Sequence, residues 1–203
     1  MTWIATENFD SYTIGNDMNT LNGGSGWTGA WTSTGAGEGV IVAAPSGMTT
    51  NAAEMLWITG DGGDAQRSLS LLTDGIVSFQ MRAAQTDRLA RFTLAESGVG
   101  SKAYIRFDSD GNIKAVGSAS NTLQAYSANT TYRILIKFGH TAGNFAVSID
   151  GGAYSADFDM SGTGSNVNLV TLVNENVTTS SFFFDDIKSG ATVVNGSAFL
   201  AFM

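Results

Sequence analysis

The sequence predicts an all-β chain folded as a two-sheet antiparallel β-sandwich. Three observations carry that prediction. In residues 131–158, Tyr132, Ile134, Ile136 and Phe138 alternate with Arg133, Leu135 and Lys137, and after a Gly-containing bend Phe145, Val147 and Ile149 alternate with Asn144, Ala146 and Ser148. Period-two patterning sends one row of side chains to a core and the other to water. Turn residues punctuate the chain: 25 glycines stand against one proline, among abundant Ser, Thr and Asn, as expected of many turns between short strands. No segment has convincing helical periodicity, and no internal repeat or linker interrupts the pattern.

Taken in order, residues 2–9 read as a first strand with Trp3, Ala5 and Phe9 around Glu7. A glycine-rich loop, Asn22-Gly23-Gly24-Ser25-Gly26, leads to Trp27-Thr28-Gly29-Ala30-Trp31, where a strand would put both tryptophans on one face. Strands follow at Val40–Ala44 and at Ala52–Thr59, the second carrying Trp57 and closed by Asp61-Gly62-Gly63-Asp64. Gln66–Leu72, Ile76–Ala84 and Arg88–Glu96 continue, with Val77, Phe79, Met81 and Ala83 alternating with Ser78, Gln80 and Arg82. Lys102–Asp108 and Asn112–Val116 flank Asp110-Gly111, a hairpin turn signal, and Thr122–Ser127 leads into the run that starts at Thr131. There, Asp150-Gly151-Gly152 makes a tight turn into a third alternating run of Tyr154, Ala156 and Phe158. Leu169–Val173 and Ser180–Lys188 complete the sheets. About fourteen short, evenly spaced strands indicate a sandwich or jelly roll. Residues 1–191 are expected to form one domain, and 192–203 an apolar tail.

A chain of 203 residues is long enough to bury a full core without staples, which agrees with the absence of cysteine. The formal charge of −8 repels phosphate, so nucleic acid and anionic membranes are disfavoured as partners, and neutral polysaccharide or cations are favoured. No apolar run reaches the length of a membrane span. The opening, MTWIATENFD, has no basic or apolar leader region, so no cleaved signal peptide is expected.

Several stretches together resemble the concanavalin A-like lectin/glucanase superfamily, in particular its bacterial and viral laminin-G-like jelly rolls. They are Glu7-Asn8-Phe9-Asp10-Ser11-Tyr12 with Gly26-Trp27-Thr28-Gly29-Ala30-Trp31, Tyr104-Ile105-Arg106-Phe107 through Asp110-Gly111-Asn112-Ile113-Lys114, Tyr132-Arg133-Ile134 through Ser148-Ile149-Asp150-Gly151-Gly152, and Phe182-Phe183-Phe184-Asp185-Asp186-Ile187. They occur in the family's order across nearly the whole chain. The resemblance implies two curved antiparallel sheets with the first and last strands adjacent. The fold hosts lectins, hydrolases, lyases and structural domains, so function must come from a site.

Glycosidases of that superfamily resemble one another in a Glu-x-Asp-x-x-Glu strand, which brings nucleophile and acid within about 5 Å. Here Glu7, Glu38, Glu54, Glu96 and Glu175 stand isolated from such partners. The Gln-x-His strand of the superfamily's lyases is absent too, and the only histidine, His140, sits in a glycine-flanked turn. Usual Cys/His zinc sites are excluded by count. The chain is therefore expected not to be an enzyme.

Related jelly rolls often hold a structural Ca²⁺ between their first and last strands. The matching residues are Glu7 and Asp10 with Asp185 or Asp186, hard oxygen donors of the kind calcium prefers. Adjacent Asp185 and Asp186 would face opposite ways on a strand, so only one turns inwards and needs a cation or backbone donors. The alternative is that both meet solvent, Lys or Arg at a strand end. Asp108-Ser109-Asp110-Gly111-Asn112 lacks the downstream Glu of a calcium loop and reads as a hairpin turn.

Trp27 and Trp31, with Trp57 and Tyr104, are candidate sugar-stacking aromatics, against the alternative that they pack the core. Phe199, Leu200, Phe202 and Met203 would be an exposed apolar patch unless they form an edge strand or dock on a neighbour. The lack of an export signal and of catalytic residues, with a Gly/Ser/Thr/Asn-rich all-β chain, leads to a non-enzymatic structural or surface jelly roll of a larger assembly; the resemblance, since laminin-G-like jelly rolls recur on virions, implies foremost a phage or virus particle (a decoration, tail or fibre component). It would contact copies of itself or other virion proteins, at a virion surface or another extracellular assembly. The alternatives are a glycan-binding lectin-like module and a polysaccharide hydrolase or lyase with an unconventional site.

Overall fold

The computed structural model describes residues 2–33, 39–56, 64–175 and 180–191. Those residues form fifteen β-strands and no helix. One sheet has eight strands: β13 (Phe158–Asp159), β12 (Asn144–Ile149), β11 (Thr131–Phe138), β6 (Gly75–Ala83), β15 (Ser181–Gly190), β4 (Ala52–Leu56) and β3 (Gly39–Val42), with β1 (Ala5–Glu7) also paired to β15. The other runs β10 (Ser120–Ala125), β9 (Asn112–Val116), β8 (Gly100–Phe107), β7 (Ala90–Glu96), β14 (Val167–Asn174), β5 (Asp64–Leu72) and β2 (Thr32–Ser33). Every pairing is antiparallel. The first and last strands are neighbours, with Ala5 opposite Ser189.

The period-two rows meet between the sheets. Val77, Phe79 and Met81 of β6, Ile134 and Ile136 of β11, and Phe182 and Phe184 of β15 face Phe92 and Leu94 of β7 and Ile105 and Phe107 of β8 in one core. Phe79 and Phe92 join the two layers ring on ring, with centroids 3.8 Å apart and planes 10° apart. Such a pair is worth about 0.5–1.5 kcal/mol beyond its buried area.

The run from Thr131 forms two full strands, with Ile134 opposite Ile149 and Phe138 opposite Phe145. Its tight turn has both Asp150 (φ 51°) and Gly151 (φ 77°) in the left-handed region, as an Asp-Gly hairpin turn requires. The third arm shrinks to the two residues of β13, because Ser155 bonds β12 from outside the ladder: its N–H donates to Val147 O and its hydroxyl accepts from Val147 N–H. Residues 27–31 also differ from expectation. They form a loop, and Trp27 makes only an isolated bridge to Leu69 before the short strand β2.

Candidate functional site

Glu7 lies in β1 and is buried. Its Oε2 accepts from Arg67 Nη1, from Tyr12 Oη at 2.8 Å and from Trp31 Nε1 at 3.3 Å, while Oε1 accepts from Phe9 N–H at 3.1 Å. Arg67 occupies an inward position on β5 between Ala65 and Leu69. It donates further to Gly29 O, Asn22 Oδ1 and Gly23 O, and its guanidinium lies 5.0 Å from the Trp27 ring and 5.8 Å from Trp31. Burial first, and then the bond to Glu7, push the Tyr12 phenol up to about 12. Trp31 is fully buried and Trp27 half-buried, their rings 6.2 Å apart. The two tryptophans do meet, as the sequence leads one to expect, but around an arginine in the interior and with no stacking face offered by Trp31. The loop beside them is held tightly: a Cβ on Gly26 (φ 76°) would fall 1.7 Å from Ile4 O. Trp57 lies outside the described residues, as do Phe199, Leu200, Phe202 and Met203.

The last strand supplies the second cluster. A bulge between Asp185 and Lys188, with Asp186 at φ 50°, separates the fates of the two adjacent aspartates. Asp186 sits near the surface between Lys188 Nζ at 2.6 Å and Arg133 Nη2 at 3.4 Å. Asp185 is fully buried, and accepts from the Thr50 hydroxyl at 2.5 Å and the Asp186 N–H at 2.6 Å. Burial drives its carboxyl up to about 6; the two hydrogen bonds oppose the shift and the neighbouring Asp186 and Asp10 charges add to it. Asp10 caps the same region, its Oδ1 accepting from Asn51 N–H at 3.0 Å. Among the described residues no Lys, Arg or His pairs with Asp10 or Asp185, and no cluster of three or more Asp, Glu, His or Cys side chains could hold a metal. Of the four expected calcium ligands, Asp10 and Asp185 lie near each other without a cationic partner among the described residues, Asp186 beside them pairs with Lys188 and Arg133, and Glu7 pairs with Arg67. Asp185 accepts from the Thr50 hydroxyl and Asp10 from the Asn51 N–H, two adjacent residues of one loop.

The third arrangement lies on the solvent side of the seven-stranded sheet. Arg91 and Thr93 alternate with core-facing Ala90, Phe92 and Leu94 on β7, and Tyr104 and Arg106 alternate with Ala103, Ile105 and Phe107 on β8. The register builds two cross-strand rows: Lys114–Arg106–Arg91–Val173, and Val116–Tyr104–Thr93–Thr171–Gln66. Tyr104 is half-buried, with the Arg91 guanidinium 5.2 Å from its ring. Thr93 is 3% exposed although it faces outwards, and its hydroxyl has no hydrogen-bond partner; nor do the buried Nε atoms of Arg91 and Arg106. Acidic groups pair with every cation of the first row. Glu175 pairs with Arg91 at 2.8 Å, and Asp108 with Arg106 at 2.5 Å and Lys114 at 2.9 Å, while Asp110 pairs with Lys114 at 2.6 Å. Burial alone would raise the Asp108 carboxyl, but the Lys114 hydrogen bond and the Arg106 and Lys114 charges outweigh it and leave it low. Asp110 is likewise held low, first by Lys114. The segment 108–112 is a lysine-tied turn, with Gly111 at φ 78°.

Sequence patterning points to Tyr104 but not to its neighbours. Arg91, Thr93 and Arg106 look like ordinary outward strand residues until the register sets them side by side. Arg67 carries a signal that could have been read: a charge in the inward row of β5. His140 stays apart from all three clusters, its Nε2 2.8 Å from Asp157.

No family model and no curated protein matches the sequence. Solved structures do share its fold at low identity. A sialidase aligns over 95% of this chain at a TM-score of 0.74 and 12% identity, the chain spanning 19% of that protein. Trypanosoma rangeli sialidase aligns over 74% at a TM-score of 0.52 and 11% identity, with 27% of its length spanned. The T. cruzi calreticulin globular domain aligns over 95% of this chain and 89% of its own length (TM-score 0.62, 13% identity), and Bacillus licheniformis β-glucanase over 95% and 100% (TM-score 0.58, 12% identity). The chain carries the concanavalin A-like jelly-roll fold.

Proposed function

We propose that the protein is a non-catalytic glycan-binding β-sandwich whose platform is the solvent side of the seven-stranded sheet around Tyr104. The observation that carries this reading is the row Val116–Tyr104–Thr93–Thr171–Gln66. It sets one half-buried aromatic ring, with the Arg91 guanidinium over it, in line with the part-exposed Thr171 and Gln66. An apolar sugar face stacks on such a ring while the surrounding donors and acceptors take its hydroxyls. Two of the proteins that share the fold, the sialidase and the β-glucanase, are named for work on carbohydrates.

The non-catalytic part rests on the carboxyls of that face. A glycosidase acid needs a raised pKa to hold its proton near neutral pH. Asp108 and Asp110 are instead held low by their cations, and Glu175 is tied to Arg91. We also propose calcium at Asp10 and Asp185 as a structural ion, on the other sheet and outside the platform. For the phage or virus role expected from the sequence, whose contact segment was the tail at 192–203, no described residue and none of these similar structures speaks.

A glycan array against the purified protein tests the main reading. Binding is expected, and Tyr104→Ala should weaken it by tenfold or more, in line with about 1–3 kcal/mol for a stacked aromatic. Trp31→Ala should lower the melting temperature without a comparable effect in folded protein. An array without a hit sinks the proposal.

A further inference from the structure

Charge on the platform is distributed unlike charge on the rest of the chain. The protein carries ten Lys and Arg residues against eighteen acids, yet Lys114, Arg106 and Arg91 stand consecutively across β9, β8 and β7 in one row. Like charges directly opposite one another on a sheet are destabilising, so this row carries a cost unless negative groups offset it. Protein carboxylates meet each of the three from outside the row: Asp108 pairs with Arg106 and Lys114, Asp110 with Lys114, and Glu175 with Arg91. Among the described residues no carboxylate bridges the central step, where Arg91 and Arg106 face each other directly. The Nε atoms at that step are buried, so what a ligand can meet is the open part of each side chain, 30% for Arg91 and 24% for Arg106. Tyr104 adjoins both arginines, two residues from Arg106 on one strand and under the Arg91 guanidinium from the next.

We infer that the platform takes a glycan bearing an acidic group, whose oxyanion lies between Arg91 and Arg106 while the sugar ring packs on Tyr104. This rests on the glycan-binding reading above and names its substrate class. Guanidinium groups suit the task because their planar donor forks match an oxyanion in two-point contact. Pairing by Asp108 and Glu175 fixes each guanidinium in place beforehand, which reduces the ordering cost of binding. The inference also departs from the expectation of neutral polysaccharide that net charge alone supports. At a Debye length of about 8 Å in physiological salt, a ligand at this row responds mainly to local charge. A sugar carboxylate and a sugar sulfate ester share the required chemistry.

Isothermal titration with three short oligosaccharides of matched length separates the outcomes: alginate for carboxylate, carrageenan (a sulfated galactan without carboxylates) for sulfate, and laminarin as the neutral control. One acidic oligosaccharide should bind at least tenfold more tightly than laminarin, and whichever does so identifies the acidic group. R91Q and R106Q should each cut that affinity about tenfold and cut laminarin affinity by clearly less, with both variants shown to be folded by their thermal melts. Raising salt should weaken the acidic ligand alone. If laminarin binds as well as either acidic ligand, or if the arginine variants weaken all three equally, the inference is overturned while glycan binding stands. If none of the three binds and a wider array is also silent, both readings fall together.

Discussion

Glu7 and Asp185 are both buried carboxylates near the junction of the first and last strands, and their surroundings give them opposite properties. Glu7 has a full complement of partners, with Arg67 as its counter-ion. Removing one member of a buried pair leaves the other charge unpaired, at a cost of about 3–5 kcal/mol. Arg67→Met should therefore lower stability by that order in denaturant titrations, and Glu7→Gln by less, since the amide keeps a hydrogen-bonding oxygen. Asp185 has two donors and no cation, so its carboxyl rises to about 6 from an ordinary 3.8. Between those two values the folded state holds a proton that the unfolded chain releases. In EDTA, stability should fall as pH rises through that window, by about 3 kcal/mol in total, and lie on a plateau above it. Asp185→Asn should flatten this dependence; an unchanged pH profile would show that the carboxyl titrates normally.

At the level of elements, the sandwich depends on close approaches that a few positions alone permit. Gly26 combines a left-handed backbone (φ 76°) with contact against Ile4 O next to β1. Gly98 has a similar φ of 79° with nothing within 4 Å of its would-be Cβ. Gly98→Ala should cost only the conformational penalty, about 1 kcal/mol, whereas Gly26→Ala adds a clash and should cost several times more. Thermal melts of the two variants compare the terms directly. The bulge in β15 works differently, since it lets two consecutive aspartates take different environments that an unbroken strand would assign by alternation alone.

For the molecule as a whole, β1 and β15 pair while the loops at Asp10 and Thr50 close over Asp185, so one ion there would tie several segments together. Excess Ca²⁺ is expected to raise the melting temperature and EDTA to reverse it, by mass action on the folded state. Asp185→Asn should abolish the response, and Glu7→Gln should preserve it, because Glu7 belongs to the arginine cluster. A calcium response lost in Glu7→Gln but kept in Asp185→Asn would contradict this placement.

The sequence by itself determined the all-β class, most strand positions, the Asp150-Gly151 turn and the pairing rows of the core, because alternation and turn chemistry are local properties. It also singled out Glu7, Asp10, Asp185, Trp27, Trp31 and Tyr104, residues of types that are costly or conspicuous wherever they fall. Only the tertiary structure decided what each of them contacts. Glu7 meets Arg67 from sixty residues away, and Asp185 meets Thr50 from 135 residues away, so no local pattern reveals either contact. The Lys114–Arg106–Arg91 row exists only through the register of three strands, and register is set by global packing of the two sheets.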